Sequence, residues 1–146
     1  MHQLDTDLQQ AMRDRDEIRK LTLRSAKTAL TEAMKASTDH NLADEQVIAV
    51  LQKEAKRRRE AATEYEKAGE THRASLELAE LAVLEGYLPK ALDEAEIEKI
   101  AIAVIAEVGA SSQKEFGKVM SPVMARVAGR ADGKLVGAVV RRLLPA

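Results

Sequence analysis

Tyr65, Tyr87 and Phe116 are the only aromatic residues among 146 positions, and that scarcity limits the possible folds more than any motif does. A core without aromatic bulk must be assembled from Leu, Ile, Val, Ala and Met. That palette, combined with 32% charged residues, favours helices over a sheet sandwich. With 45% hydrophobic residues there is enough apolar mass for one ordinary core or two small ones. The absence of cysteine removes disulfides, thiolate nucleophiles and cysteine-ligated metal centres. The start, Met-His-Gln-Leu-Asp, lacks the charged-then-apolar pattern of a secretory signal, and no apolar run approaches the roughly 18 residues of a membrane span. A soluble cytoplasmic protein is therefore expected.

Helical periodicity organises the first 88 residues. Leu4, Leu8 and Met12 recur every four residues and predict a first helix over about 4–15. Leu23, Ala26, Leu30, Ala33 and Met34 continue a helical period from Ile18 to Met34, with Lys20, Arg24, Lys27 and Lys35 largely on other faces. The run Ser37 to Asn41 holds side chains that compete with the helical backbone and reads as a loop. A third helix is expected from Asp44 to about Lys67 on the stripe Ile48, Leu51, Ala55, Ala62, Tyr65, ended by Gly69. The fourth spans about Thr71 to Glu85, with an inner face of Leu78, Leu81, Ala82 and Leu84. Short connections make these helices antiparallel neighbours.

Within the third helix, Lys56, Arg57, Arg58 and Arg59 form a basic run. Successive residues of a helix point in different directions and Glu54, Glu60 and Glu64 are interleaved, so the run reads as a solvated, salt-bridged face. Arg58 alone falls on the apolar stripe. A guanidinium there needs a carboxylate, and Glu77 or Glu80 of the fourth helix is the expected partner.

Gly86, Tyr87, Leu88 and Pro89 stop the fourth helix and mark a domain boundary. Asp93 with Glu96 makes a capping box for the next helix, and Leu92 and Ile97 form its hydrophobic staple. That helix carries Ile97, Ile100, Ala101, Val104, Ile105 and Val108 and closes at Gly109. Ser112 with Glu115 is a second capping box, opening a helix at Gln113. Pro122, preceded by Ser121 as a potential N-cap, produces either a kink or two short helices. Gly129 ends that segment, and Asp132 caps a final helix with the stripe Leu135, Val139, Leu143 beside Val136, Val140, Leu144. The expected architecture is all-α, with an N-terminal antiparallel helical bundle over 1–88 and a small three- to four-helix domain over 92–146.

Charge is unevenly spread. From Gly109 onward there are seven lysines and arginines against only Glu115 and Asp132, whereas the whole chain has a formal net charge of -1. A basic segment in a near-neutral chain suggests an anionic partner. Catalytic candidates are few. His2, His40 and His72 are scattered, no phosphate loop of the P-loop or dinucleotide type is present, and the carboxylates lie at helical spacing among cations. No catalytic residue, metal ligand or cofactor site is assigned. Gly117 removes a side chain beside Lys114 and Lys118, which would let a second backbone come close. Gly129 and Gly133 flank Arg130 and Asp132 before a helix N-terminus, whose free N–H groups suit a phosphate. The plain alternative is a glycine C-cap followed by an aspartate N-cap, with Asp132 opposing an anion. So few aromatics argue against base stacking and sequence-specific single-strand recognition.

The segments Tyr-Leu-Pro (Tyr87 to Pro89), Gly-Ala-Ser-Ser (Gly109 to Ser112), Gly-Lys-Val-Met (Gly117 to Met120) and Gly-Arg-Ala-Asp-Gly-Lys-Leu-Val (Gly129 to Val136) resemble the YqeY-like proteins of the GatB/YqeY family. In that family the C-terminal helical domain also forms the tail of the B subunit of the aspartyl/glutamyl-tRNA amidotransferase, where it contacts the body of the tRNA. The resemblance implies an all-helical, two-domain, tRNA-associated accessory protein, with amidotransferase or aminoacyl-tRNA synthesis proteins as further partners. A carbon-nitrogen ligase label with glutamine as nitrogen donor attaches through the family. The reaction itself needs amidase and phosphorylating sites that belong to other subunits, so this chain alone is not expected to catalyse it. The implied tRNA surface joins Lys114, Gly117, Lys118, Arg126, Gly129, Arg130, Gly133 and Lys134, with Arg141 and Arg142 peripheral. These residues share a face if the Gly129 to Gly133 turn folds back toward the first turn of the Gln113 helix. The competing reading is a protein-interaction module without an RNA role, presenting an exposed apolar patch.

Overall fold

The structure, a computed structural model, describes residues 2–146. Among these residues there is no strand, and seven α-helices and one short 3-10 turn make up the fold. Contacts divide the chain into two compact units, Met1–Leu88 and Pro89–Ala146. Among the described residues no helix is long and apolar enough to cross a membrane.

The first unit contains α1 (His2–Arg13), α2 (Glu17–Ala36), α3 (Asp44–Lys67) and α4 (Thr71–Glu85). Asp16 caps α2 by accepting from the Arg19 amide at 3.1 Å, and the turn before it places Arg15 in the left-handed region at φ 55°. At α3 the capping residue is Ala43, which has no acceptor; instead Gln46 reaches back and accepts from the Ala43 amide at 2.8 Å. Side-chain pairs fix the helix directions. Asp5 meets Lys27 and Asp7 meets Arg19, so α1 and α2 run antiparallel. Arg58 meets Glu80 while Tyr65 meets Arg73, so α3 and α4 do the same.

Leu4, Ala11, Leu23, Ala26, Leu30, Leu51, Ala55, Leu81 and Leu84 form the core of this unit. Two predicted stripes need correction. In α1 the buried residue of the last turn is Ala11, while Met12 is 49% exposed, because the buried stripe steps four then three residues from Leu4 and Leu8. In α4, Leu78 and Ala82 face solvent and the buried residues are Ala74, Leu81 and Leu84. Seven residues separate Ala74 from Leu81, so the buried face is a narrow two-turn stripe, against the broad one predicted. After α4 the Tyr87 hydroxyl donates to Asp7 of α1, tying the end of the unit to its start. Burial and the Asp7 carboxylate both push the Tyr87 phenol above its ordinary value.

The second unit contains α5 (Glu94–Val108), α6 (Phe116–Val127) and α7 (Gly133–Leu143), with the 3-10 turn Gln113–Glu115 ahead of α6. The capping box at α5 is formed in both directions: Asp93 accepts from the Glu96 amide at 2.8 Å and Glu96 accepts from the Asp93 amide at 2.9 Å. The core is aliphatic, from Ile97, Ala101 and Val104 of α5, Val119, Val123 and Val127 of α6, and Val136, Val139, Val140 and Leu144 around α7. Leu135, assigned to this stripe by periodicity, is 40% exposed.

Three local expectations change. The Ser112 and Glu115 box opens the 3-10 turn, and the α-helix begins at Phe116. Pro122 neither splits the helix nor takes Ser121 as a cap, for α6 runs through it from Phe116 to Val127. The missing Pro122 N–H would have served the Lys118 carbonyl, and Lys118 is exposed, so water can satisfy that group. The helix ends one residue earlier than predicted, with Ala128 at φ 51° in the left-handed region and Gly129 following at φ 76°. Two successive left-handed residues turn the chain sharply toward α7.

Candidate nucleic-acid interface

The basic residues of the second unit differ in what holds them. Arg126 is paired with Glu107 of α5. Arg142 bridges to Glu94 at 2.8 Å and Glu98 at 3.2 Å, pinning the end of α7 to the start of α5. Arg130 donates through Nε to the Lys90 carbonyl at 3.0 Å, while its own carbonyl accepts from the Leu92 amide at 2.8 Å. This reciprocal clamp holds the segment leading into α5. The carbonyl does not neutralise the guanidinium, so Arg130 keeps its charge while spending one donor. Lys114, Lys118 and Lys134 are exposed and have no ion pair among the described residues.

The glycines also separate. A Cβ built at Gly117 meets nothing within 4 Å, and its φ is not positive, so neither packing nor backbone geometry requires glycine there. Gly117, Ser121 and Ala125 are all exposed and follow one another at four-residue steps along α6, giving it a shallow outer face. Gly129 serves the turn through its positive φ. Gly133 packs beside Met124, whose Cε would lie 3.7 Å from a methyl group on the Gly133 Cα. The α7 N-terminus is already occupied, for Asp132 accepts from the Lys134 amide at 3.0 Å. A phosphate there would compete with a carboxylate.

The fold-back on which a single shared face depended does not occur. Gly133 lies beside Met124, Gly137 beside Phe116 and Met120, and the Gln113 amide donates to the Arg141 and Leu144 carbonyls at 2.8 and 2.7 Å. Helices α6 and α7 are therefore antiparallel, and the start of α7 lies at the far end of α6 from Gln113. Lys114 and Lys118 sit at one end of this pair, and Arg130 and Lys134 at the other. At about 1.5 Å per residue, the eight residues from Phe116 to Met124 span about 12 Å. The residue that does join the Gln113 end is Arg141, placed at the periphery by sequence, whose guanidinium stacks over the Phe116 ring at 4.8 Å from its centroid. Four-residue spacing could relate Lys114 to Lys118, but only the antiparallel pairing of α6 and α7 brings Arg141 to them.

Glu115 is the carboxylate within this basic end. The Ser111 amide at 2.6 Å holds it below the ordinary carboxylate value, helped by the Ser112 amide and the nearby Lys118 charge. It is committed to the cap rather than to an ion pair with either lysine.

The family described as Yqey-like protein matches residues 1–144 of the chain. Comparison with curated proteins gives no match.

Proposed function

The chain belongs to the Yqey-like protein family, and we propose that it is a non-catalytic accessory protein that binds tRNA through the α6–α7 surface of its second unit. The family resemblance to an amidotransferase tail suggests the partner class, with other aminoacyl-tRNA synthesis proteins as co-partners in the cytoplasm. The observation that carries the reading is the set Lys114, Lys118 and Lys134, exposed and without carboxylate partners, in a unit where Arg126 and Arg142 are paired. Their distribution over about 12 Å suits a polynucleotide backbone better than a single phosphate. Gly117 supports it, because a glycine with open space above it leaves room for a partner's backbone. We read the two compact units as separate domains, 1–88 and 92–146, so the second should fold when expressed alone.

Titration of total tRNA at two salt concentrations tests the proposal. Replacing Lys114, Lys118 and Lys134 together with alanine should weaken binding and flatten its logarithmic salt dependence by about 2–3 units, one per lost phosphate contact. Gly117→Ala should leave the fold intact and weaken binding. Unchanged affinity and slope in the folded triple variant would make the basic surface a solubilising one. The second reading, a protein-docking module, is favoured by Ile102 and Leu135, 50% and 40% exposed on α5 and α7. It predicts partner binding that is insensitive to salt and lost on Ile102→Ser with Leu135→Ser.

A further inference from the structure

The first unit holds an open cleft of about 860 Å³ between α2, α3 and α4, a volume in the range of small-molecule sites. Its apolar lining is small, including Ala29 and Ala33 of α2 and Val50 and Ala61 of α3. Polar groups converge on the interior. Arg58, 11% exposed at its side chain, donates to Glu54 at 3.1 Å and to the Ser25 hydroxyl at 3.1 Å. Its Nε lies 3.3 Å from Glu80 but is not aimed at it, and remains a buried donor without a hydrogen bond. Glu77, one turn before Glu80, forms no ion pair among the described residues.

Counting charges by depth shows an imbalance. Glu54, Glu77 and Glu80 line the interior around one guanidinium. The other lining cations are at the rim: Arg57, 69% exposed, reaches Glu54 at 3.3 Å, and Lys53 is exposed and unpaired among the described residues. The remaining carboxylate, Glu32, faces out to Lys35 at 3.7 Å. Burial first, and then Glu80, raise the Glu77 carboxyl above its ordinary value against the opposing influence of Arg58. A partly buried carboxylate in that position gains from a second cation. The alanine-lined walls beside these carboxylates suit the aliphatic stem of an organic cation.

We infer that the cleft between α2, α3 and α4 binds an organic cation, an alkylammonium or guanidinium group on a short aliphatic stem, which pairs with Glu77 and Glu80 beside Arg58. The test is titration of the full chain, followed by NMR, with spermidine, n-butylammonium and an acetylated Gly-Arg-Gly amide. The expected result is saturable binding of at least one probe, with shifts confined to residues 25–33, 50–61 and 77–80. Glu77→Gln should weaken it at least tenfold while leaving the chain folded, and Ala29→Leu should fill the cleft and abolish it. Binding of the free amines identifies a small-molecule site, and binding of the arginine peptide alone identifies a pocket for a partner's side chain; both uphold the inference. Shifts scattered over surface carboxylates, or Glu77→Gln binding as the unaltered chain does, would overturn it.

Discussion

Replacing Arg58 with methionine tests whether the cleft's ion cluster holds the first unit together. Methionine keeps the aliphatic stem but removes the charge that Glu54 and Glu80 share, the former 12% and the latter 28% exposed at the side chain. Removing one partner of a fully buried pair costs about 3–5 kcal/mol, because the other charge is left uncompensated. Here the cleft admits water and Glu80 is partly solvated, so the expected loss is smaller, about 2–3 kcal/mol. For a unit of this size each kcal/mol corresponds to about 4–8 °C in Tm, so thermal unfolding should move down by about 8–24 °C. Arg58→Met with Glu80→Gln should recover part of that loss, since it removes one stranded carboxylate, and the double-mutant cycle gives the coupling between the two. A loss below about 0.5 kcal/mol for Arg58→Met would place the pair in the class of exposed salt bridges and refute the reasoning.

Other expectations follow from single features. Glu77→Gln should stabilise the chain near neutral pH, since the folded state raises this carboxyl. A raised acid binds more protons folded than unfolded, so its contribution is present below the unfolded value and is lost as pH rises through the folded one; the variant's advantage in chemical denaturation should therefore shrink on acidification. Asp93→Ala removes the acceptor for the Glu96 amide and should cost about 1 kcal/mol in urea unfolding of the second unit. Gly137→Ala should stabilise by about 0.5–1 kcal/mol in the same measurement, because the added methyl makes ordinary contact with Phe116 at 3.7 Å and the helix loses a flexible residue.

What could be read from the chain depended on the range of the interaction. Helices α3 and α4 have the bounds that periodicity and Gly69 assigned them, because helical spacing and caps act over a few residues. The basic run 56–59 is the salt-bridged face expected, with Lys56 to Glu60 at 4.0 Å and Arg59 to Glu85 at 3.8 Å. Of the two partners expected for Arg58, Glu80 meets it and Glu77 does not pair, while Glu54, a turn earlier on the same helix, is its second carboxylate. A stripe shows that a position faces inward, but the rotation of the neighbouring helix selects the carboxylate. The same rotation decides that Leu78 and Leu135 stay exposed although each matches its helix's apolar period.

The C-terminal motifs show a sharper limit, since a glycine in sequence is one letter with several physical causes. Gly129 is required by a left-handed turn, Gly133 tolerates its neighbour Met124, and Gly117 has open space where a side chain would be. Only the last is unexplained by the fold, because a helical glycine without close neighbours gives up about 0.5–1 kcal/mol relative to alanine and gains nothing within the molecule. That asymmetry makes Gly117 more informative about function than the glycines of the longer motif. Lys118 and Lys114 flank it, and neither is used in the packing of the unit. The carboxylate-paired cations of this surface, Arg126 and Arg142, are arginines, and Arg130 and Arg141 are held by the Lys90 carbonyl and the Phe116 ring, whereas the three that have no such contact, Lys114, Lys118 and Lys134, are lysines. Point charges on flexible stems suit a phosphate backbone read without sequence preference, and the two residue types divide along the same line as structure and proposed binding.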